Sequence, residues 1–415
     1  MSALSAEVDK VAALRVALPA LGAGVYLNTG SCGPLPAETA AAMAEVADWE
    51  LRLGRASPDT YYDVLQRMEE ARASIAAIVG ADTRDLALTH AVTEAMNVAI
   101  WGIDWRPGER AVSARNFEHA GGLSGLYAVR DRLGVDLELV DIGAGGDRQR
   151  VLAAFDAAIT PGTRLVSVCH VSHATGAVLP IAEIAEIAHA RGALLAVDGA
   201  QAVGALPVDV QALGADVYAI AGQKWLLGPE GTGALYVAPA ALDRLRMTYA
   251  SFWSYEQQDL LGAAQPWPTA RRFEGTSGIN HALIVGLARS CGWLSMFVGI
   301  AWALERGAAL ARLTAQRLAA TTGVTLITPP GAMASLVTFR VAGWSAQAIL
   351  DELSARVFVI ARVIEDLDAV RFSVGWFNTQ EELERALHLV AELGWAYTRA
   401  VEKGGLACVG CSLSG

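Results

Sequence analysis

Lys224 follows an apolar run, in Ala221-Gly222-Gln223-Lys224-Trp225-Leu226-Leu227-Gly228-Pro229. A lysine drawn into apolar surroundings has its charged form disfavoured, and the free amine is a nucleophile toward aldehydes. Taken alone, it also reads as a snorkelling surface lysine. Upstream, the apolar run Leu194–Val197 leads into Asp198-Gly199-Ala200-Gln201. A carboxylate at a strand end can ion-pair with a protonated ring nitrogen, and Gln201 can hydrogen-bond a ring substituent. Taken alone, Asp198 also reads as a turn or N-cap residue.

Together the two say more. A lysine for a Schiff base and an aspartate for a pyridinium nitrogen are the pairing that pyridoxal phosphate requires. Thr93-Glu94-Ala95 opens a helix just after a strand, where free N–H groups and the Thr93 hydroxyl can meet a phosphate. Asn116-Phe117-Glu118-His119 follows another strand, and an imidazole there can stack on a flat ring. The cluster Cys169-His170-x-x-His173 suggests metal at first sight. It falls on the same side of the sheet as Lys224 and Asp198, so no metal is expected.

These residues need a scaffold to converge. Apolar runs at 86–89, 110–113, 137–140, 164–169, 194–197, 217–220 and 234–237 read as strands. Helical spacing falls between them, at 93–101, to Leu133 and at 181–191. Near-continuous apolar strands alternating with helices imply an α/β fold with a mostly parallel sheet covered by helices, with ligands at the carboxyl ends of its strands. Beyond about Gly286 a long helical region runs to Ala320. A smaller α+β pattern comes next: strand 335–340, helix 345–356, strands 357–361 and 370–374, helix 380–393. The expected organisation is an N-terminal helical segment (1–25) packing on the small domain, a large cofactor domain (26–286), a small C-terminal domain (287–405) and a flexible tail (406–415).

Composition bounds the class. Hydrophobic residues are 53% and charged residues 18% of the 415, which excludes intrinsic disorder. The most apolar run, Ser290 to Leu304, is shorter than the roughly 20 residues of a spanning helix, so no membrane is expected. A net charge of −11 with scattered Lys and Arg argues against nucleic acid. Five cysteines and no secretory pattern point to the cytoplasm. The pair Cys408-x-x-Cys411 reads as part of a loose tail rather than a metal site. A nicotinamide fingerprint fails, because Gly228-Pro-Glu-Gly-Thr-Gly leads into a strand, not a helix.

Seven ordered stretches, THAVTEAMNVA, FEHAGG, HVSHATGAVLPI, VDGAQAVGALPVDV, DVYAIAGQKWLLGPEGTGALYV, RRFEGTS and VRFSVGWFNTQEEL, resemble the class V aminotransferase family of fold-type I PLP enzymes. The likeness is nearest its cyst(e)ine C–S lyase and isopenicillin N epimerase-like branch. The resemblance implies that Lys224 forms the Schiff base and shuttles protons, Asp198 pairs with the pyridine nitrogen, Gln201 contacts the ring hydroxyl and His119 stacks on the ring. It implies that Thr93 and the Glu94 N–H hold the phosphate. Thr276 would reach it from a second subunit, which implies a homodimer. Arg371 would bind the substrate α-carboxylate as a fork, with Arg362 assisting and Asn28 touching the same group.

Three departures stand out. Gln223 replaces a phosphate-binding histidine. His173 stands where many relatives have asparagine, and can contact the ring oxygen or the substrate. No cysteine lies between Val359 and Asp366, where one subgroup of desulfurases carries its sulfur acceptor. Cys32 lies in a glycine-rich turn that can border the site, and reads more simply as a small turn residue. The resulting expectation is a PLP-dependent β-eliminating C–S lyase acting on cysteine, cystine or an S-substituted cysteine. The alternatives are an aminotransferase or amino-acid epimerase, and then a desulfurase or selenocysteine lyase.

Overall fold

The computed structural model describes residues 3–274 and 280–402. The chain opens with α1 (Ala3–Val16), a short strand β1 (Val25–Tyr26) and two long helices, α2 (Ala37–Leu53) and α3 (Pro58–Val79). The large sheet comes next: β2 (Leu86–Thr89), β3 (Arg110–Ala114), β4 (Asp136–Val140), β5 (Thr163–Cys169), β6 (Leu194–Asp198), β7 (Val217–Ala221) and β8 (Gly233–Val237). Between these strands lie α4 (Val92–Trp101), α5 (Ala120–Leu133), α6 (Arg148–Ala158) and α7 (Ile181–Ala190). Spatially the order is β2-β8-β7-β6-β5-β3-β4. Strands β3 to β7 are parallel, and β8 runs against both of its neighbours.

The site lies where this order reverses. β4 falls on one side of β3 and β5 on the other, which opens a crevice at their carboxyl ends. Strands β6 and β7 are buried along their whole length. Each Val, Leu or Ile fully buried there stabilises by roughly 1.5–3 kcal/mol. The two strands thus make a rigid frame for the polar loops at their carboxyl ends.

After a hairpin, β9 (Tyr255–Gln258) and β10 (Ala264–Pro266), come α8 (His281–Trp293), a π-helical turn (Leu294–Val298) and α9 (Ile300–Ala319). The helix expected to run unbroken to Ala320 is interrupted at Gly299, whose φ of 82° a side chain rarely adopts. The 18 residues His281–Val298 are long and apolar enough to cross a membrane by length and composition, so the apolar stretch begins earlier than Ser290. Ile284, Leu287 and Cys291 are buried in the large core, and α8 packs on α2 and α3. That packing accounts for the buried half of the stretch, while Met296 and Phe297 in the π-helical turn are exposed. The packing also carries the large core past residue 286.

The small domain holds β11 (Val324–Leu326), β12 (Leu336–Val341), α10 (Ala346–Val357), β13 (Val359–Ile360), β14 (Arg362–Ile364), β15 (Ala369–Ser373) and α11 (Gln380–Glu402). Its antiparallel sheet has the order β11-β12-β15-β14. The single strand expected at 357–361 is instead three things. Val357 ends α10, Phe358 turns the chain at φ 56°, and β13 leaves the small sheet to pair with β1. Val25 and Leu27 therefore belong to the small core, although they lie far from it in sequence. Helix α1 bridges the layers: Leu14 packs on the large core, while Arg15 pairs with Glu382 of α11 at 2.6 Å.

Candidate active site

A cavity of about 220 Å³ opens at the carboxyl ends of β5, β6 and β7, and is lined among others by Thr93, His119, His173, Asp198, Gln201, Gln223, Lys224, Arg362 and Arg371. Residues from both domains and from the N-terminal loop converge there.

Lys224 stands in the turn after β7. Gly222 N–H donates to Thr232 O, and Gly228 N–H donates back to Gly222 O, so the turn is closed on itself. Leu227 takes φ 56° within it. The amine makes no ion pair among the described residues. Burial pushes its pKa down; Asp198 works against that, and Arg371 and Arg362 add to it. Burial thus works toward the free, nucleophilic form of the amine.

Asp198 ends β6 and is buried. Its Oδ1 accepts the Ala200 N–H at 2.9 Å. Its Oδ2 faces Gly122 at the start of α5, where an added Cβ would lie 3.6 Å away. Gln201 is largely taken up by the protein. Its Nε2 donates to Gly30 O at 2.8 Å and its Oε1 accepts from Trp225 Nε1 at 2.9 Å, so one N–H and one lone pair remain for a ligand.

His119 caps α5, with Nδ1 accepting the Gly121 N–H at 3.0 Å. Asn116, left-handed at φ 54°, turns the chain into this position, a conformation asparagine tolerates. The His119 ring meets His173 edge-on at 5.0 Å. Burial pushes both imidazoles toward neutrality, His173 down to about 3. His170 points elsewhere, its Nδ1 2.8 Å from Tyr218 Oη.

The first turn of α4 faces α5 closely. A Cβ on Gly121 would come 2.6 Å from Thr93 Oγ1, so only glycine lets the two helix starts approach. Ala91, Val92 and Thr93 line the cavity. Glu94 does not line it: its carboxylate turns back to accept the His90 N–H at 2.7 Å. What Glu94 can offer is the backbone N–H named from the sequence, one of the free first-turn amides of α4.

Arg371, on β15, is fully buried. Nη1 donates to His173 O at 2.8 Å, while Nε and Nη2 have no partner. Burial and the neighbouring Arg362 lower its pKa to about 9. Arg362 is exposed at the mouth, with Nη1 3.4 Å from Ser31 Oγ. Asn28 does not line the cavity; its Oδ1 accepts from Ser31 Oγ, and Gly30 and Ser31 form the wall in its place. Thr276 and the Cys408/Cys411 pair lie outside the described residues.

Three groups gave no signal in the sequence beyond that of their neighbours. Gly30 packs so closely that a Cβ would meet Ser373 Oγ at 2.8 Å and Arg371 Nη2 at 3.1 Å. Trp225, next to the lysine, locks Gln201. Glu118, next to His119, is buried beside Cys169 and Asp198 with Oε1 unpartnered; burial raises its pKa to about 8. Cys169 lines the cavity but is sealed in β5, its thiol pushed well up by burial. Cys32 lies off the cavity against Glu230, its thiol raised to about 11 by burial and that carboxylate.

The family model for aminotransferase class-V matches residues 25–386. An isopenicillin N epimerase of Streptomyces clavuligerus is 35% identical over 378 residues, covering 87% of this chain and 92% of the relative. A probable cysteine desulfurase of Methanothermobacter thermautotrophicus is 28% identical over 387 residues, 88% of this chain and 94% of the relative. Among solved structures, the cystine C–S lyase C-DES in complex with its reaction product cysteine persulfide aligns with a TM-score of 0.85 at 26% identity, over 91% of this chain and 100% of that one.

Proposed function

This chain belongs to the class-V aminotransferase family, a pyridoxal-phosphate family of the fold-type I architecture, and from that premise we propose that it is a C–S lyase. It would eliminate the sulfur substituent from Cβ of cysteine, cystine or an S-substituted cysteine. One observation carries this reading. The cavity joins Lys224, Asp198 and Arg371, yet the one cysteine among its lining residues, Cys169, is buried in β5 with its Sγ against Phe117 O. Among the described residues the remaining cysteines lie off the cavity, Cys32 against Glu230 and Cys291 in the core, whereas a desulfurase needs a thiol that reaches the substrate sulfur.

The unpartnered Gln223 Oε1, His173 Nδ1 and Arg371 Nε and Nη2 fit a polar ligand here. Thr93 and the free amides of α4 would hold the phosphate, with the Gln223 amide beside it. Asp198 would hold the ring nitrogen in its protonated form, and His119 would cover the ring. When bound, pyridoxal phosphate supplies a carbonyl for the substrate amine and an electron sink for the pair left at Cα. Arg371 offers the Nε and Nη2 edge of its guanidinium to the α-carboxylate. Lys224, whose burial lowers its pKa, takes the Cα proton. The sulfur leaves Cβ as a thiol or persulfide, and hydrolysis gives pyruvate and ammonia. A homodimer completed through Thr276 is part of the same proposal.

A second reading, epimerisation at Cα, is supported by the 35% relative and by His173, a neutral imidazole with Nδ1 unpartnered. Incubation with cystine and, separately, with cysteine decides. Pyruvate supports the lyase; alanine means a desulfurase; loss of optical rotation without pyruvate means an epimerase.

A further inference from the structure

Arg362 and Arg371 are direct partners across β14 and β15. Residues opposite each other on an antiparallel pair project from the same face, and like charges so placed destabilise the sheet. Both line the cavity, and neither has a carboxylate partner among the described residues. The lining carries two guanidinium groups, Arg362 and Arg371, beside the amine of Lys224, against the single carboxylate of Asp198. A fold that tolerates this pairing is complementary to anions brought in by the ligand.

The two guanidinium groups sit at different depths. Arg371 is 1% exposed, anchored through Nη1 to His173 O, and its free Nε and Nη2 form one edge that matches one carboxylate. It meets the needs of an α-carboxylate alone. Arg362 is exposed at the mouth and leans toward the hydroxyl of Ser31, on the N-terminal loop. The phosphate is accounted for at the start of α4, on the large domain. Arg362 is therefore left over after both anions of a simple amino-acid complex have been placed.

We propose that Arg362, steadied at the mouth by Ser31, binds a second anionic group on the substrate, carried beyond Cβ. The substrate class is then amino acids with a distal carboxylate, such as cystine or an S-carboxyalkylcysteine, in preference to cysteine or a neutral S-alkylcysteine. This rests on the reading that Arg371 holds the α-carboxylate.

The test uses the holoenzyme and two near-isosteric ligands, S-carboxymethylcysteine and S-carbamoylmethylcysteine. Dissociation constants are read from the change in the visible absorbance of the bound cofactor, which does not require turnover. Replacing a charged hydrogen bond should weaken binding by about tenfold or more. Arg362→Gln should do so for the carboxymethyl ligand and leave the carbamoylmethyl ligand unchanged, with Arg362→Lys restoring part of the difference. Equal loss for both ligands would assign Arg362 to the α-carboxylate and overturn the proposal. No loss for either would overturn it as well. Absence of pyruvate from either ligand would count against the lyase reaction and leave the binding comparison standing. If Arg371→Ala weakens neither ligand, the α-carboxylate reading fails on its own.

Discussion

The indole N–H of Trp225 donates to Gln201 Oε1 at 2.9 Å, so the residue after the lysine is tied to the loop that extends from Asp198. The same amide donates to Gly30 O. Three segments that meet at the cavity, the lysine turn, the aspartate loop and the N-terminal loop, are thereby held by one glutamine. Trp225→Phe keeps the ring but leaves the buried Gln201 oxygen short of a donor, at a cost of about 1–3 kcal/mol. Urea unfolding should show this loss, and kcat should fall with KM little changed, because the lysine turn loosens.

Lys224→Ala should abolish the visible absorbance of the cofactor-loaded protein and all turnover. The check is an absorption spectrum after reconstitution and desalting. A wild-type protein that stays colourless and binds no pyridoxal phosphate would falsify the cofactor assignment outright.

Arg371→Ala should lower kcat/KM by at least about 30-fold, since truncating one partner of a buried charged pair costs about 2 kcal/mol or more. The change should appear in KM. Steady-state kinetics with cystine measures it; an unchanged KM removes Arg371 from the substrate site.

Glu118 makes stability depend on pH. Its folded pKa is raised from 4.5 to about 8 by burial, with Asp198 adding to the rise, and Cys169 sits against it. The neutral carboxyl contributes stability that is full below about pH 4.5 and is lost as pH rises toward about 8. Glu118→Gln should flatten that part of the profile. Urea midpoints for both proteins across the window give the answer, and parallel curves would clear Glu118 of the effect.

Arg72, buried in α3, pairs with buried Glu274, whose carboxylate also accepts the Leu88 N–H at 2.8 Å. Arg72→Met strands that carboxylate and should cost about 3–5 kcal/mol. Adding Glu274→Gln should recover part of the loss in thermal or urea melts. A double variant no better than the single one would mean that the pair is not the source.

Much of the frame was legible because it is encoded locally. Apolar runs such as Leu194–Val197 and Val217–Ile220 read as strands buried on both faces, and the polar residues that follow them, Asp198 and Lys224, stand out against them. Val357–Ala361 misled for the same reason. Its composition suits a strand, but whether Phe358 turns left-handed and β13 pairs with β1 depends on a partner more than 300 residues away.

Apolar runs and helical periodicity mark the large sheet, most of the succession of strands and helices along the chain, and the chemical types gathered at the strand ends. The use made of each polar side chain is set by the folded arrangement. Gln201 meets Gly30 across 171 positions and Arg362 meets Ser31 across 331. Glu94 turns away, while Arg362 and Arg371 end at different depths on one sheet face. Such choices depend on register and depth, and neither is a property of a residue and its neighbours in sequence.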